Sequence, residues 1–264
     1  MPVALTIAGS DSSGGAGIQA DLRTFAALEV YGASAVTAVT SQNTLGVRMV
    51  HALPPALVAD QIDAVLDDLA VAAVKTGMLA NADIVDAVVK QLSMCAVPIV
   101  VDPVMISSSG VALLDDAGVD LVRARLLPRA ALVTPNLAEA ERLVGYAVRT
   151  VDDQARAAHS LVKLGAHAAL VKGGHSMEGD PVDVLFDGVE LRGLKGARID
   201  TRHTHGTGCT LASAVAAFLA RGVVLADAVA NAHAYVRAAI EQAPGLGRGR
   251  GPLHQMHPHY RVRR

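Results

Sequence analysis

The chain has 264 residues, of which 52% are hydrophobic and 18% charged, so it is neither intrinsically disordered nor too short to bury a sizeable core. Its formal net charge of −2 and its 3% of aromatic residues argue against nucleic acid as a partner, which needs a basic surface and stacking rings. Only two cysteines are present and they form no CxxC motif, so we expect a reducing compartment without a disulfide framework.

The predicted elements alternate between strand and helix for most of the chain. The strands, apolar throughout as when both faces are covered, are predicted at residues 3–8, 35–40, 71–75, 98–102, 131–134 and 168–172. The helices are predicted at residues 16–29, 56–69, 82–92, 117–126, 137–144 and 152–164. This order predicts an α/β fold with a mostly parallel, doubly wound sheet and helices on both faces.

The last third of the chain follows another pattern. A β-hairpin is predicted at residues 182–186 and 189–194, and two helices follow at 207–221 and 225–242. No linker or internal repeat divides the chain, so residues 1–264 are expected to form a single domain. No apolar run is long enough to cross a bilayer and the first residues lack a basic n-region, which indicates a cytoplasmic protein without a membrane partner.

The first glycine-rich segment, residues 9–17, joins a predicted strand to a predicted helix. Gly15 to Ala20 fits the GxGxxA dinucleotide pattern, but no carboxylate ends the second strand, which disfavours a nicotinamide site. The chain also lacks a GxxxxGK[ST] P-loop. Asp21, one turn past Gly17, could take a ligand hydroxyl or amine, or could lie on a solvated helix face.

Several predicted strands run into polar residues. These are Lys75 and Thr76, Asp102, Thr134 with Asn136, and Lys172. The carboxyl ends of parallel strands share one edge of the sheet, where ligands bind, so we expect these side chains to lie together. Turn chemistry alone would account for the neighbouring glycines but less well for Asp102 and Lys172.

Asn136 and Glu139 stand three residues apart at a strand-to-helix junction. That spacing fits a helix capping box, in which each side chain bonds the other's backbone N–H. It would equally let both oxygens reach one Mg²⁺ together with its waters. On spacing alone the capping box is favoured.

The segment Gly206-Thr-Gly-Cys-Thr210 directly precedes an apolar helix. Its free N–H groups and the positive end of the helix dipole predict an anion site, and the usual anion is phosphate. Gly206 and Gly208 lack a Cβ, so the backbone could approach the ligand, and Cys209 among these amides is expected to lose its proton more easily. The alternative is a helix N-cap whose glycines serve only a turn.

Three residue groups are assigned ordinary roles. Cys95 is expected to be a small core residue. His254, His257 and His259 are interpreted as a polar tail rather than a metal site, and the basic end formed by Arg261, Arg263 and Arg264 as a solvated terminus.

Seven segments, in this order, resemble the hydroxymethylpyrimidine/phosphomethylpyrimidine kinase family of the ribokinase fold. They are residues 8–22, 40–46, 75–78, 101–105, 134–139, 171–175 and 204–210, and the similarity continues to residues 247–252. The resemblance implies two ATP-dependent phosphorylations in thiamine biosynthesis, of 4-amino-5-hydroxymethyl-2-methylpyrimidine to its monophosphate and then to the diphosphate. It also implies Mg²⁺ and a homodimer.

The resemblance further implies roles for individual residues. The pyrimidine is expected to be bound by Gln42, whose amide is both donor and acceptor. The rest of the pyrimidine pocket is expected to comprise Asp21, Gly9, Met78 and Val104. Nucleotide binding falls to Lys172, Thr207, Asn136 and Thr134, and the Mg²⁺ region to Asp102 and Glu139. Cys209, with Gly206 and Gly208, takes the catalytic position where ribokinase relatives carry an aspartate base.

The chain departs from the family pattern in two places. Residues 106–110 lack the lysine that many relatives carry, which removes a charge near the substrate mouth. Relatives often read Thr-Lys-Asn-Thr-His before the anion loop, whereas this chain has Arg202 and His203 at the second and third of these positions.

Three other functions are weighed against this one. A pyridoxal kinase would share the fold and a small heteroaromatic alcohol as substrate. A single-substrate sugar kinase would leave Gln42 and Cys209 without a purpose, and a non-catalytic binding module would not need Asp102, Glu139 and Lys172 intact.

Overall fold

The computed structural model describes residues 1–107, 110–174 and 180–259, within which one nine-stranded sheet forms. Its strands, in chain order, are β1 (Val3–Asp11), β2 (Tyr31–Asn43), β3 (Gly46–Ala52), β4 (Val71–Thr76), β5 (Ile99–Val101), β6 (Leu132–Val133), β7 (Ala169–Val171), β8 (Val182–Phe186) and β9 (Leu191–Lys195). Their order across the sheet is β3-β2-β1-β4-β5-β6-β7-β8-β9. The pairs from β2 to β7 are parallel and the outer pairs antiparallel, which confirms the predicted mostly parallel sheet.

Helices cover both faces of this sheet. They are α1 (Gly17–Ala27), α2 (Pro55–Asp68), α3 (Ala82–Gln91), α4 (Asp116–Leu121), α5 (Leu137–Val144), α6 (Val151–Lys163), α7 (Thr207–Ala220) and α8 (Leu225–Glu241). One core joins the sheet to α2 through α6, and a second joins its other face to α1, α7 and α8. In β5 the side chain of Val100 enters the second core while Ile99 and Val101 enter the first, as alternation along a strand requires.

Two elements differ from the sequence-based prediction. β3 was missed because Gly46–Ala52 is an edge strand whose residues are half-buried or exposed, so it has no apolar pattern. The predicted helix at 117–126 is regular only to Leu121 and continues as a π-helical turn and then a 3₁₀ turn that includes Pro128, which cannot continue a helix.

Some sequence features lie outside the described residues. They are Ser108 and Ser109 of the loop that lacks the family lysine, His175, and Arg261, Arg263 and Arg264 of the basic end. Across the described ranges, no helix combines the length and apolar character needed to span a membrane.

Candidate active site

Polar side chains from β5, β6 and β7 converge at the carboxyl edge of the sheet. Lys172 Nζ lies 3.0 Å from Asp102 Oδ1, although the two residues are 70 positions apart in sequence. The Thr134 hydroxyl donates to the same carboxylate oxygen over 3.3 Å. Burial opposes a charge on Lys172, but Asp102 and Glu139 raise the pKa of its ammonium group. The predicted meeting of Asp102 and Lys172 at one edge is therefore confirmed.

Asn136 and Glu139 form the capping box that their spacing predicts. Glu139 Oε2 accepts the Asn136 N–H at 2.8 Å, and Asn136 Oδ1 accepts the Glu139 N–H at 3.0 Å. Burial of the Glu139 carboxyl, reinforced by the negative charge of Asp102, raises its pKa to about 7 against the opposing effect of Lys172. This carboxyl is therefore both a helix cap and a charge coupled to the Asp102–Lys172 pair.

The start of α7 faces that ion pair. A Cβ built on Gly208 would lie 3.1 Å from Lys172 Nζ and 3.6 Å from Asp102 Oδ2. The Thr207 N–H donates to the Thr204 carbonyl oxygen at 3.3 Å, but no side chain caps α7, so the next first-turn N–H groups and the positive end of its dipole are available at the same edge. A cation and a helix N-terminus thus converge on one point, as an anion site requires.

Gly206 has a different reason to be glycine from the one expected. Its φ is +87°, and a Cβ there would lie 2.0 Å from the Gly15 carbonyl oxygen. The close approach that this structure shows is therefore to the backbone of the β1–α1 loop. Thr207, which begins α7, donates its hydroxyl to the Thr204 carbonyl oxygen at 2.8 Å.

The expectation that the helix start lowers the pKa of Cys209 is wrong. Burial, together with the negative charges of Asp21 and Asp102, raises the pKa of the thiol to about 11. Lys75 and the Gly17 N–H act in the opposite direction but do not prevail. Cys209 is therefore a neutral thiol at physiological pH in the absence of bound substrates.

The structure corrects one interpretation of Asp21, because its side chain is fully buried and does not lie on a solvated helix face. It accepts hydrogen bonds from Thr6 at 2.6 Å and Ser213 at 2.6 Å, and it pairs with Lys75 Nζ at 2.8 Å. Burial opposes the ammonium charge, but Asp21 raises the pKa of Lys75. In the absence of substrate, Asp21 is thus held by two hydroxyl groups and one ammonium group.

The other residues expected around the pyrimidine lie near the ends of β1, β2, β4 and β5. A Cβ on Gly9 would lie 3.0 Å from the sulfur of Met78, so these two residues are neighbours. Val104 is partly exposed two residues past Asp102. Gln42 at the end of β2 contacts His205, the residue before Gly206, which brings the predicted pyrimidine reader beside the start of α7.

The sequence analysis assigned no role to three residues of this region, which are Lys75, Asp11 and His205. Lys75 forms a buried ion pair with Asp21, and Asp11 and His205 form a buried contact of 2.8 Å between carboxylate and imidazole. A lysine at the end of an otherwise apolar strand was the available signal for the first pair. For His205 the signal was its position directly before the glycine loop.

In the part of the chain that the structure describes, two histidines of the tail contact backbone carbonyl oxygens. His257 Nε2 lies 3.1 Å from the Tyr235 carbonyl oxygen and His259 Nε2 lies 2.9 Å from that of Ala27. No group of three or more His, Cys, Asp or Glu side chains suited to a metal ion occurs among the described residues. Cys95 packs against the first core as expected.

Comparison with known proteins gives concordant matches. Residues 11–254 match the family model described as phosphomethylpyrimidine kinase. The hydroxymethylpyrimidine/phosphomethylpyrimidine kinase of Rhizobium meliloti is 51% identical over 258 residues, covering 97% of each chain. The thiamine biosynthesis bifunctional protein ThiED of Geobacter sulfurreducens is 50% identical over 96% of this chain, which spans only 52% of that longer protein. The ADP complex of Bacillus subtilis pyridoxal kinase superposes with a TM-score of 0.89 at 38% identity, covering 97% of each chain.

Proposed function

The chain belongs to the phosphomethylpyrimidine kinase family, and from this we propose how its residues carry out the family's reaction. It is an ATP-dependent phosphotransferase of thiamine biosynthesis. It phosphorylates 4-amino-5-hydroxymethyl-2-methylpyrimidine and then converts the monophosphate to the diphosphate. The observation that carries the assignment of roles is the convergence of Lys172, Asp102 and the start of α7 within a few ångströms.

In this proposal Lys172 and the first-turn N–H groups of α7 hold the terminal phosphates of ATP. Phosphoryl transfer passes through a loose transition state, so aligning the phosphates and neutralising their charge supply most of the rate. Thr207, Thr134 and Asn136 surround this position and complete the nucleotide side of the site. Gly208 keeps the helix start open toward Lys172, because any side chain there would crowd the ammonium group.

We propose that Mg²⁺ enters with the nucleotide. Mg²⁺ binds through one or two carboxylates together with substrate phosphates and retained waters, so it does not need a three-ligand protein cluster. The buried Asp102 and Glu139 carboxyl groups, electrostatically coupled to each other and to Lys172, suit that requirement. When bound, the ion would neutralise phosphate charge.

We propose Cys209 as the group that receives the proton of the pyrimidine alcohol late in the first transfer. Because its pKa is about 11, the thiolate fraction rises tenfold with each pH unit between 7 and 9. The first phosphorylation should therefore accelerate with pH over this range. The second should stay nearly constant, since a phosphate monoester is already ionised above its second pKa of about 6.

Replacing this thiol tests the role directly. Cys209→Ala should lower kcat of the first phosphorylation about 10²-fold and abolish its pH slope, while changing the second less than about fivefold. Both steps are followed by product analysis from pH 6.5 to 9. Cys95→Ala is the matched cysteine control and should change neither step. Equal losses for alcohol and phosphate acceptors would exclude a base role for Cys209.

Gln42 is proposed to pair with the pyrimidine ring nitrogen and its exocyclic amine. Gln42→Leu should weaken pyrimidine binding about 10- to 100-fold, the cost of one or two unmade hydrogen bonds, without changing ATP binding. Isothermal calorimetry with each ligand measures both effects. Gln242→Leu, at an exposed position after α8, is the control. Unchanged pyrimidine affinity in Gln42→Leu would remove Gln42 from the pocket.

A pyridoxal kinase activity is the second candidate, because a pyridoxal kinase shares the fold at a TM-score of 0.89. One product assay separates the two, with MgATP and three acceptors: hydroxymethylpyrimidine, its monophosphate and pyridoxal. We expect both pyrimidines to be phosphorylated in preference to pyridoxal. Phosphorylation of pyridoxal alone would reverse the assignment.

We further propose that the 264 residues work as one kinase domain, in the cytoplasm and as a homodimer. The kinase-family resemblance supports the homodimer. Light scattering of the purified protein measures its mass, and a monomeric mass would contradict the dimer.

A further inference from the structure

Three side chains link the end of β1, the end of β2 and the residue before α7. His205 Nε2 lies 2.8 Å from Asp11 Oδ2 and 3.2 Å from the terminal nitrogen of Gln42. Asp11 and His205 are only 3% and 6% exposed, so water does not compete for their contact. The Asp11–His205–Gln42 chain therefore connects the proposed pyrimidine reader to the start of the phosphate site.

Asp11 is an acceptor only. Burial opposes its charge, but hydrogen bonds from His205, from the Ser13 hydroxyl and from the backbone N–H groups of Ser13 and Ala16 lower its pKa to about 2. The Gly15 N–H donates to the same carboxylate at 3.1 Å. Because an ionised carboxylate has no proton to give, the hydrogen between Asp11 and His205 must belong to His205 Nε2.

This protonation state decides which way the Gln42 amide faces. A protonated Nε2 cannot accept a hydrogen bond, so an amide nitrogen facing it would set two donors against each other. Oxygen and nitrogen of a carboxamide exchange places by a half-turn of the last torsion, and their partners determine the assignment. With the oxygen toward His205, the single Nε2 hydrogen is shared between Asp11 Oδ2 at 2.8 Å and the Gln42 oxygen at 3.2 Å. The amide nitrogen then takes the position 3.1 Å from Thr40 Oγ1. The Thr40 hydroxyl then donates a hydrogen bond to the Ser10 carbonyl oxygen, also at 3.1 Å, so each of these donors has an acceptor.

We propose that Asp11 and His205 hold the Gln42 amide with its oxygen toward His205, and that this fixed orientation selects the pyrimidine over other heteroaromatic alcohols. This inference rests on the proposed role of Gln42 as the pyrimidine reader. A fixed amide presents its second N–H, a donor, and its second oxygen lone pair, an acceptor, to the substrate in a fixed spatial order. His205 and Asp11 are then positioning residues that act through Gln42.

The order of donor and acceptor distinguishes the candidate substrates. Next to its hydroxymethyl-bearing carbon the pyrimidine carries an amine, which donates, and beyond it a ring nitrogen, which accepts. Pyridoxal has a carbonyl oxygen, an acceptor, in the place of that amine. A fixed amide whose donor and acceptor match those of the pyrimidine is therefore mismatched to pyridoxal. An amide that is free to turn would form hydrogen bonds with either substrate.

A matched pair of substitutions at His205 tests the inference. Glutamine can place an N–H where imidazole Nε2 lies, whereas asparagine is too short to do so. His205→Asn should raise KM for hydroxymethylpyrimidine about tenfold and lower its preference over pyridoxal by a similar factor, the effect of one misplaced hydrogen bond. KM for ATP should stay within about twofold, and His205→Gln should restore most of the preference.

The outcomes separate this inference from the proposed function. If the unmodified protein does not phosphorylate hydroxymethylpyrimidine, the proposed function fails. If it does, but both variants lose activity equally with an unchanged pyrimidine-to-pyridoxal ratio, His205 is only structural and the inference is overturned.

A second measurement needs no active variant. In ¹⁵N-histidine-labelled protein, Nε2 of His205 should show the chemical shift of a protonated imidazole nitrogen at neutral pH. The His205→Gln spectrum provides the assignment. An unprotonated Nε2 in the unmodified protein would overturn the proposed amide orientation.

Discussion

Lys172→Met is expected to lower kcat of both phosphorylations about 10²- to 10³-fold, the usual effect of removing one preorganised charge from a transition state. The physical reason is the position of its ammonium group. It lies 3.0 Å from Asp102 and beside the start of α7, at the point proposed for the transferred phosphoryl group. Because this charge acts on ATP in both steps, kcat should fall by the same factor for the alcohol and the phosphate acceptor. In Cys209→Ala, by contrast, only the first phosphorylation should be strongly slowed.

The control for Lys172→Met is Lys163→Met, at an exposed lysine of α6, which should leave both rates unchanged. Thermal unfolding of both variants shows whether the unpaired Asp102 disturbs the fold. Retention of more than about a third of the activity in folded Lys172→Met would contradict the phosphate role, since a charge on the phosphoryl group is worth several kcal/mol.

Lys75→Met is expected to lower the free energy of unfolding by about 3–5 kcal/mol, because it leaves a buried carboxylate without its counter-charge. Both partners of the Lys75–Asp21 pair are fully buried, and only the Thr6 and Ser213 hydroxyl groups would remain to stabilise Asp21. An unpaired buried carboxylate takes up a proton more readily, so the loss should be smaller at pH 5 than at pH 8.

Urea denaturation of single and double variants measures this effect. The double variant Lys75→Met/Asp21→Leu removes both charges and should recover much of the lost stability, as replacement of buried pairs by apolar groups often does. Lys90→Met, at an exposed lysine of α3, is the control and should change stability by less than about 1 kcal/mol. Equal losses in the single and double variants, at both pH values, would show that the charge pair is not the cause.

The mostly parallel sheet and the edge where Asp102 and Lys172 meet could be predicted because they depend on local patterns. Runs such as residues 71–74 are apolar on both faces, as expected of a parallel strand covered by helices on both sides. Parallel strands then bring their carboxyl ends to one edge, which placed Asp102 beside Lys172 without any knowledge of the helices. The capping box of Asn136 and Glu139 depends only on a spacing of three.

The remaining properties depend on contacts between distant segments. The Cys209 pKa was expected to be low from the helix start alone, but the buried environment that raises it is assembled from elements far away in sequence. The burial of Asp21 could not be predicted, because its partner Lys75 is 54 positions away. His205 and Asp11 are 194 positions apart, and no local pattern links them.

A crystal structure of the protein with Mg²⁺, a non-hydrolysable ATP analogue and hydroxymethylpyrimidine would locate the transferred phosphoryl group. We expect the terminal phosphate to lie within hydrogen-bonding distance of Lys172 Nζ and of first-turn N–H groups of α7. We also expect the pyrimidine hydroxymethyl group to lie between this phosphate and Cys209, with the ring against Gln42. A terminal phosphate bound away from the start of α7 would contradict the account.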